Sequence, residues 1–232
     1  MVATEDTKRT KVKTRWFFPL VCSVTSVASF LLPGCFLWRG GGDEARCPTD
    51  RIAVITVQED VAHVAGCKTL SGIRVQTGAT IDLKPLSELQ SVSGDIVIGP
   101  TVGVEEAGFD GLTSVGGGIV VHGNNSLRGL FLPRLETAGR VAIDDNYELT
   151  TIAMPRLAAV TGAFSVTANH DLELLGAPAL ATVGGELVIV DEPSLSLVEL
   201  GKLAAAQTVR IANTPKLPPE AVDELRKRTA IP

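Results

Sequence analysis

The sequence predicts a mainly β fold, a right-handed parallel β-solenoid of about six coils of 22–23 residues, closed by a C-terminal capping helix. A column of six leucines first indicates this fold, because their successive spacings are 23, 23, 22, 23 and 23 residues. Two further apolar columns keep the same phase, and repetition at a fixed period specifies an architecture directly. Each unit also contains glycine or proline, and none contains an apolar run of helical period.

Three columns of apolar residues define the coils. The middle column consists of pairs with a period of two, so both side chains of a pair point to one face of a strand. Three strand residues cannot bury a core alone, so we expect like residues to stack from coil to coil, with strands about 4.8 Å apart. The columns are Leu89, Leu112, Leu135, Leu157, Leu180 and Leu203; the pairs Ile96/Ile98, Ile119/Val121, Val141/Ile143, Phe164/Val166, Leu187/Ile189 and Val209/Ile211; and Val104, Leu127, Leu149, Leu172, Leu195 and Leu217.

Asparagine recurs about three positions after the strand pairs, at Asn124, Asn146 and Asn169. Asparagine tolerates the left-handed backbone conformation and bonds its own backbone in turns, so these residues predict one turn per coil. Their side chains can also form a ladder between coils. Glu192 interrupts this asparagine column, and Asn213 falls one place early.

Proline and glycine mark the corners between strands. Pro133, Pro155 and Pro178 recur before the core leucine, where a residue without a backbone donor suits a corner. Residues 116–118 are three glycines that precede a predicted strand, not a helix. They therefore predict a tight corner and not a phosphate-binding loop of the dinucleotide type.

Both ends of the stack carry predicted caps. Residues 51–65 are apolar without the repeat pattern, and we expect them to cover the first coil, with residues 70–75 as a shortened strand pair. Residues 218–228 begin with proline, place acidic residues in the first turn and basic residues in the last, which indicates a helix. Val222 and Leu225 should lie over the last coil.

Residues 1–34 are predicted to be a signal peptide. Residues 1–15 contain five basic residues and residues 16–32 contain no charge, as in a secretory signal. The end Leu32-Pro33-Gly34-Cys35 resembles the lipobox of bacterial lipoproteins, which implies lipidation of Cys35 and a tether over residues 35–46. Phe36 in place of aspartate favours the outer membrane of a bacterial envelope. An uncleaved membrane anchor and an ordinary secretion signal are the alternatives.

The charge of the exported chain excludes one class of partner. Residues 1–34 contribute five of the 21 basic and two of the 26 acidic residues, which leaves 16 and 24, a net charge of −8. Nucleic-acid binding requires clustered lysine and arginine, so we expect no nucleic-acid partner.

Cys47 and Cys67 both lie in the exported part of the chain, where a cysteine pair is normally oxidised. The predicted disulfide closes a loop of about 20 residues and stabilises the fold by about 3 kcal/mol in the chain-entropy account. Two free thiols are the alternative.

The start of the repeat has a recognisable motif, which consists of Cys67, LSGIRV at residues 70–75, and Leu86, Leu89, Val92, Gly94, Ile96 and Ile98. This motif resembles the opening of a receptor L domain. That family includes the ligand-binding L domains of the epidermal growth factor and insulin receptors and fungal cell-wall proteins. The resemblance covers residues 47–218 and implies a domain over residues 47–232, a bridge at its N-terminal cap and ligand binding on a sheet face.

Candidate catalytic and metal-binding residues are few. His63, His122 and His170 occur in no nucleophile motif and at no metal-ligand spacing, so we expect no enzyme activity, cofactor or metal site. Acidic residues recur near the turns, with Glu148 and Asp171 at equivalent positions one coil apart. Their spacing is unlike that of a calcium loop, and exposed loops are usually polar.

One residue between the two buried members of each strand pair should face outward. A solvated strand face is normally polar, but this column is mostly small or apolar, which predicts a partner-binding face. The strand propensity of valine and a loop that covers the face are the alternatives. The column consists of Val97, Val120, Ala142, Ser165, Val188 and Arg210.

These observations together predict an envelope-anchored, non-catalytic binding module of the receptor L-domain type. The expected partners are a protein or a cell-surface polysaccharide, together with the membrane that holds the lipid anchor. A structural envelope protein without a specific ligand is the alternative.

Overall fold

The computed structural model describes residues 47–229, with side chains described to residue 227. The chain forms a parallel β-solenoid of about seven turns of about 23 residues, followed by a C-terminal helix, and this confirms the predicted fold class. The signal peptide, Cys35 and the tether lie outside the described residues.

Sixteen strands, two α-helices and one 3-10 turn make up the described chain. The helices are α1 (Gln58–Val64) and α2 (Pro219–Thr229), and the 3-10 turn is Lys84–Leu86. The strands are β1 (Ala53–Ile55), β2 (Thr69–Leu70), β3 (Ile73–Val75), β4 (Ser91–Val92), β5 (Ile96–Ile98), β6 (Glu106–Gly108), β7 (Ser114–His122), β8 (Gly129–Phe131), β9 (Thr137–Asp144), β10 (Thr151–Ala153), β11 (Ala159–Val160), β12 (Phe164–Thr167), β13 (Leu174–Gly176), β14 (Thr182–Val190), β15 (Leu197–Glu199) and β16 (Ala205–Ala212).

The strands form two parallel sheets on the sides of the solenoid. The large sheet has eleven strands, and the small sheet consists of β6, β8, β10, β13 and β15. Pairing joins equivalent residues of successive coils, for example Ile73 with Ile96, Ile96 with Ile119, and Ile119 with Val141. These partners are 23, 23 and 22 residues apart, so the period read from the sequence is the period of the stack.

The hydrophobic core runs along the solenoid axis. The six leucines of the first predicted column are at most 2% exposed, and the third column is buried throughout. Among the strand pairs only Val209 is partly buried instead of buried. Val209 lies on β16, the last strand of the large sheet, where no further coil follows.

Glycine residues allow close contact between the backbones of successive coils. A Cβ atom on Gly116 would lie 2.3 Å from the carbonyl oxygen of Ser93, and one on Gly139 would lie 2.4 Å from that of Gly117. Backbone therefore stacks directly on backbone here, and only glycine fits. Residues 116–118 were predicted to form a corner before a strand, but they lie within β7, where the pairing register with β9 shifts between Val115 and Gly118.

The N-terminal cap differs from the prediction in one respect. Residues 51–65 include β1, which pairs with β3 and so forms the first strand of the large sheet, one coil earlier than expected. Helix α1 follows and buries Val61 and Val64 in the core. The predicted Cys47–Cys67 disulfide is present and ties the start of the described chain to the end of this cap.

The C-terminal cap matches its prediction. Helix α2 packs on β16, with Leu225 buried and Val222 partly buried against the core. The guanidinium of Arg226 donates a hydrogen bond of 2.9 Å to the carbonyl oxygen of Ile211. The helix therefore covers the apolar end of the last coil.

The left-handed turn residue is not the asparagine. Asp145, Ala168, Asp191 and Asn213 have φ between 54° and 59°, and each directly precedes the position at which the asparagine column continues. Asn213, expected in the asparagine column, therefore occupies this left-handed column. The asparagine side chains are instead turned inward, where they are buried.

Candidate recognition surface

The outer face of the large sheet carries the six residues predicted to bind a partner. They lie within β5, β7, β9, β12, β14 and β16, and direct pairing places them in one line, which we call the central line. Five side chains are half-buried and Arg210 is exposed, so no loop of the described chain buries them. The central line is an accessible strip on the outer face of the large sheet.

Two residues that the repeat did not identify extend the central line toward the N-terminus. Val54 pairs with Arg74, and Arg74 pairs with Val97. Both added side chains are exposed. The sequence signal for Val54 was its alternation with Ala53 and Ile55, which are buried.

Charged side chains border the central line on one side. The Asp95 carboxylate accepts a hydrogen bond of 2.5 Å from the backbone N–H of Gly118. A Cβ atom on Gly118 would lie 2.6 Å from Nε of Arg140, so the arginine side chain lies across the backbone of β7. A partner on the apolar strip would meet an acidic and a basic group at its edge.

A buried ladder of polar side chains supports the turn that follows the central line. The amide nitrogen of Asn124 donates to Oδ1 of Asn146 at 2.7 Å, and that of Asn146 donates to Oδ1 of Asn169 at 2.9 Å. The same nitrogens also donate to carbonyl oxygens of the preceding coils, at Ile98 and Val121. Thr101 begins the ladder by donating its hydroxyl to Oδ1 of Asn124 at 2.8 Å.

Glu192 continues this ladder and does not interrupt it, which corrects the sequence interpretation. Its side chain is fully buried, and its Oε1 accepts hydrogen bonds of 2.9 and 3.2 Å from the side-chain and backbone nitrogens of Asn169. Glutamate replaces asparagine here because the ladder needs only an acceptor for Asn169 at this step.

Among the described residues, the second carboxyl oxygen of Glu192 is the one buried side-chain nitrogen or oxygen atom without a hydrogen-bond partner. Burial raises the pKa of Glu192 to about 7, against the hydrogen bonds from Asn169, and the nearby Asp191 carboxylate adds to the rise. The acid form therefore persists to near-neutral pH. A proton on this oxygen would give the side chain a donor, as an asparagine amide has.

Two aromatic rings stack on the exposed turns of neighbouring coils. The ring centroids of Tyr147 and His170 are 5.2 Å apart and the planes differ by 12°. Nδ1 of His170 also lies 2.7 Å from Oδ1 of Asp171. His170 is therefore an exposed turn residue with contacts to its own turn and to the neighbouring coil.

The acidic turns do not converge on a metal site. Across residues 47–227 no group of three or more histidine, cysteine, aspartate or glutamate side chains is arranged to hold a metal ion. Glu148 instead forms a surface ion pair with Arg128, at 3.3 Å.

The small sheet presents a second apolar face that the sequence analysis missed. Phe131 is 37% and Leu197 is 46% exposed, and the half-buried Leu174 pairs with Leu197 on the neighbouring strand. The signal was available, because each alternates with a buried or partly buried neighbour such as Leu130 or Val198. The sequence analysis assigned no strand to this part of each coil.

No protein-family model, curated protein or solved structure matches the chain. The solenoid fold is therefore supported by the structure of this chain alone. None of the helices formed by the described residues is both long and apolar enough to cross a bilayer.

Proposed function

We propose that the chain is an envelope-anchored, non-catalytic recognition module of the receptor L-domain type. The observation that carries this proposal is the central line, a continuous and mostly apolar strip on the outer face of the large sheet. Accessible apolar strips of this kind mark interaction surfaces. The resemblance of residues 67–98 to the opening of an L domain adds support, because that family binds ligands on a sheet face.

A protein is the partner that this surface fits best. The central line contains no aromatic residue, and phenylalanine, tryptophan and tyrosine make up 4% of the chain. Polysaccharides are commonly held by stacking their C–H faces on the electron-rich faces of aromatic rings. A strip of valine, alanine and serine instead offers shape and apolar area to a protein surface, with Asp95 and Arg140 to orient it.

A lipid on Cys35 is the anchor we propose, and it places the module on a bacterial membrane, with the outer membrane favoured by Phe36. The support is the basic segment, the uncharged segment and the Gly34-Cys35 end of residues 1–35. A Cys35→Ser variant should lose lipid, accumulate as the precursor and leave the membrane fraction. Unchanged processing and fractionation of that variant would exclude the lipoprotein anchor.

The recognition proposal is tested by charging the central line. Residues 47–232 contain the whole core, the disulfide and both caps, and serve as bait in a pull-down from envelope extract. The Val120→Lys/Val188→Lys double variant should lose the captured protein and keep its melting temperature.

The matched control adds the same charge elsewhere. Ala158 and Ala204 are exposed and lie outside the central line, so Ala158→Lys/Ala204→Lys should retain the partner. Equal capture by both double variants would remove the recognition face and favour a structural envelope protein without a specific ligand.

A further inference from the structure

Exposed aliphatic side chains are concentrated at the N-terminal end of the solenoid. Ile52, Val54 and Val57 are 52%, 55% and 45% exposed, and they fall within six residues. We call these three residues the N-terminal rim. The other four exposed large hydrophobic residues of the described chain are dispersed over the remaining coils: Val102, Phe131, Tyr147 and Leu197.

The N-terminal rim lies on and beside β1, the first strand of the large sheet. Ala53 and Ile55 of this strand point into the core, so Ile52 and Val54 project from the outer face. Ile52 lies over Gly72 of the next coil, since a Cβ atom there would be 3.2 Å from its Cγ1. The rim side chains are therefore held by a paired strand. At the other end of the stack, α2 packs on the last strand.

The N-terminal end of the solenoid and the rest of the chain differ in net charge. Residues 47–75 contain three basic and three acidic residues, whereas residues 76–232 contain 11 basic and 19 acidic residues, a net charge of −8. Anionic bilayers repel a surface with excess carboxylates. The N-terminal end is neutral, and its Arg51 and Arg74 are exposed near the rim.

The anchor enters at this same end, and here the inference depends on the proposed lipidation of Cys35. Eleven residues separate Cys35 from Cys47, and this segment reaches at most about 40 Å when fully extended. The Cys47–Cys67 disulfide fixes the end of that tether beside the N-terminal cap. A tether this short holds the rim at a high effective concentration near the bilayer.

We infer that the N-terminal rim is a membrane-contact surface, seated in the headgroup region of the bilayer that carries the anchor. Ile52, Val54 and Val57 supply the apolar contact, and Arg51 and Arg74 meet anionic headgroups. The rim is thus a second membrane attachment that adds to the lipid.

The test uses residues 36–232 with an N-terminal hexahistidine tag in place of Cys35, bound to vesicles through a nickel-chelating lipid. The vesicles contain phosphatidylethanolamine, phosphatidylglycerol and lipids with brominated acyl chains, which quench tryptophan at short range. Trp38→Phe removes the only tryptophan of this chain, and Val54→Trp then reports from the rim. Leu197→Trp, which is similarly exposed far from the rim, is the matched control.

We expect vesicles to shift the tryptophan emission of the Val54→Trp variant to shorter wavelength. Brominated lipid should reduce the intensity of that emission by about half or more, as for a side chain at the headgroup boundary. The Leu197→Trp variant should be unaffected by vesicles. Without the tag, Ile52→Gln/Val54→Gln should lower vesicle binding about tenfold, since each buried aliphatic side chain contributes substantially to transfer.

Two outcomes would overturn the inference. One is equal quenching of the two tryptophan variants. The other is an emission of the Val54→Trp variant that is already blue-shifted without vesicles and is not quenched by vesicles with brominated lipid. That result would mean that residues 36–46 cover the rim. Because the tag replaces Cys35, neither result depends on lipidation, and the Cys35→Ser fractionation decides that question separately.

Discussion

The middle and the C-terminal end of the polar ladder use one geometry with different chemistry. Asn146 accepts from Asn124 and donates to Asn169, so its amide is used on both sides. Glu192 only accepts, and its second oxygen has no partner. Both side chains are fully buried. The difference shows that the hydrogen-bond donors and acceptors a buried residue must supply depend on its position in the stack as well as on its burial.

The strongest way to break this comparison is to place a carboxylate in the middle of the ladder. Asn146→Asp removes the donor to Asn169 and to two backbone carbonyl oxygens, at Val121 and Asp144. An uncompensated buried charge should cost roughly 3–5 kcal/mol at pH 8. The cost should be smaller at pH 5, where the carboxyl takes up a proton, and urea unfolding at both pH values measures it.

The control for this variant is Asn125→Asp, which makes the same change on the exposed neighbouring residue of the same column of turns. It should alter the free energy of unfolding by less than about 0.5 kcal/mol. Equal effects of Asn146→Asp and Asn125→Asp would mean that the ladder does not stabilise the stack.

The apolar core allows the same comparison between a middle and a terminal coil. Leu157→Ala should cost about 2–5 kcal/mol, because neighbouring coils on both sides prevent the cavity from collapsing. Leu203→Ala lies in the last coil, which can open locally, so it should lower the midpoint of global unfolding less.

Thermal unfolding followed by circular dichroism, together with amide hydrogen exchange, separates these two effects. Faster exchange confined to β16 and α2 is expected for Leu203→Ala. A solenoid that loses protection uniformly in both variants would contradict the difference between the coils.

The buried carboxyl of Glu192 should make folding depend on pH. The folded state raises its pKa from 4.5 to about 7, so the folded protein holds the proton more tightly than the unfolded chain. This stabilisation is complete below pH 4.5, falls as the pH rises toward 7 and is absent above it. The loss corresponds to about 3 kcal/mol.

Glu192→Gln isolates this effect, because an amide cannot ionise and can still accept from Asn169. We expect the variant to be more stable than the original protein at pH 8 and to lose that pH dependence, while Asp191→Asn should leave most of it in place. Identical pH profiles of the free energy of unfolding for Glu192→Gln and the original chain would exclude Glu192 as its source.

The smallest expected effect concerns the exposed ring pair that lies outside the ladder. Tyr147 and His170 stack in water, so the pair should contribute about 0.5–1 kcal/mol. A double-mutant cycle of Tyr147→Ala and His170→Ala measures this coupling. A coupling near zero would show that the turns are ordered by the ladder alone.

Most of the fold could be predicted because its information is local and repeated. The three apolar columns predict the period, the inward face and the register. The Cys47–Cys67 disulfide and α2 were also predictable, from the cysteine usage of an exported chain and from helix-end chemistry. Each of these signals lies within about one coil of sequence.

The misses arose where one residue type can serve two structural purposes. Asparagine was read as the left-handed residue, but the residue before it adopts that conformation and frees the amide to turn inward. Glu192 was read as a break because the repeat was defined by asparagine and not by the acceptor that Asn169 needs. Phe131 and Leu197 were missed because three-residue strands between turns give too short an alternation.

The central line illustrates what a sequence can give for a surface. Its residues and their alignment followed from the period alone. Its extension to Val54 did not, since residues 51–65 lack the repeat and were expected to form only a cap. The period predicts the positions of surface residues, and it carries no information about the chemical identity of a partner.

The direction of the polar ladder also limits how the solenoid can grow. Between ladder side chains, each asparagine amide donates to the next ladder residue toward the C-terminus, so each internal coil presents an acceptor to the coil before it and a donor to the coil after it. A tandem copy of one such coil, 22–23 residues long, would therefore fit between Asn124 and Asn169 with all its bonds made. A copy placed after Glu192 would meet a side-chain donor only while the Glu192 carboxyl is protonated, below about pH 7. The geometry of the ladder therefore favours internal duplication in the middle of the chain over duplication at its C-terminal end.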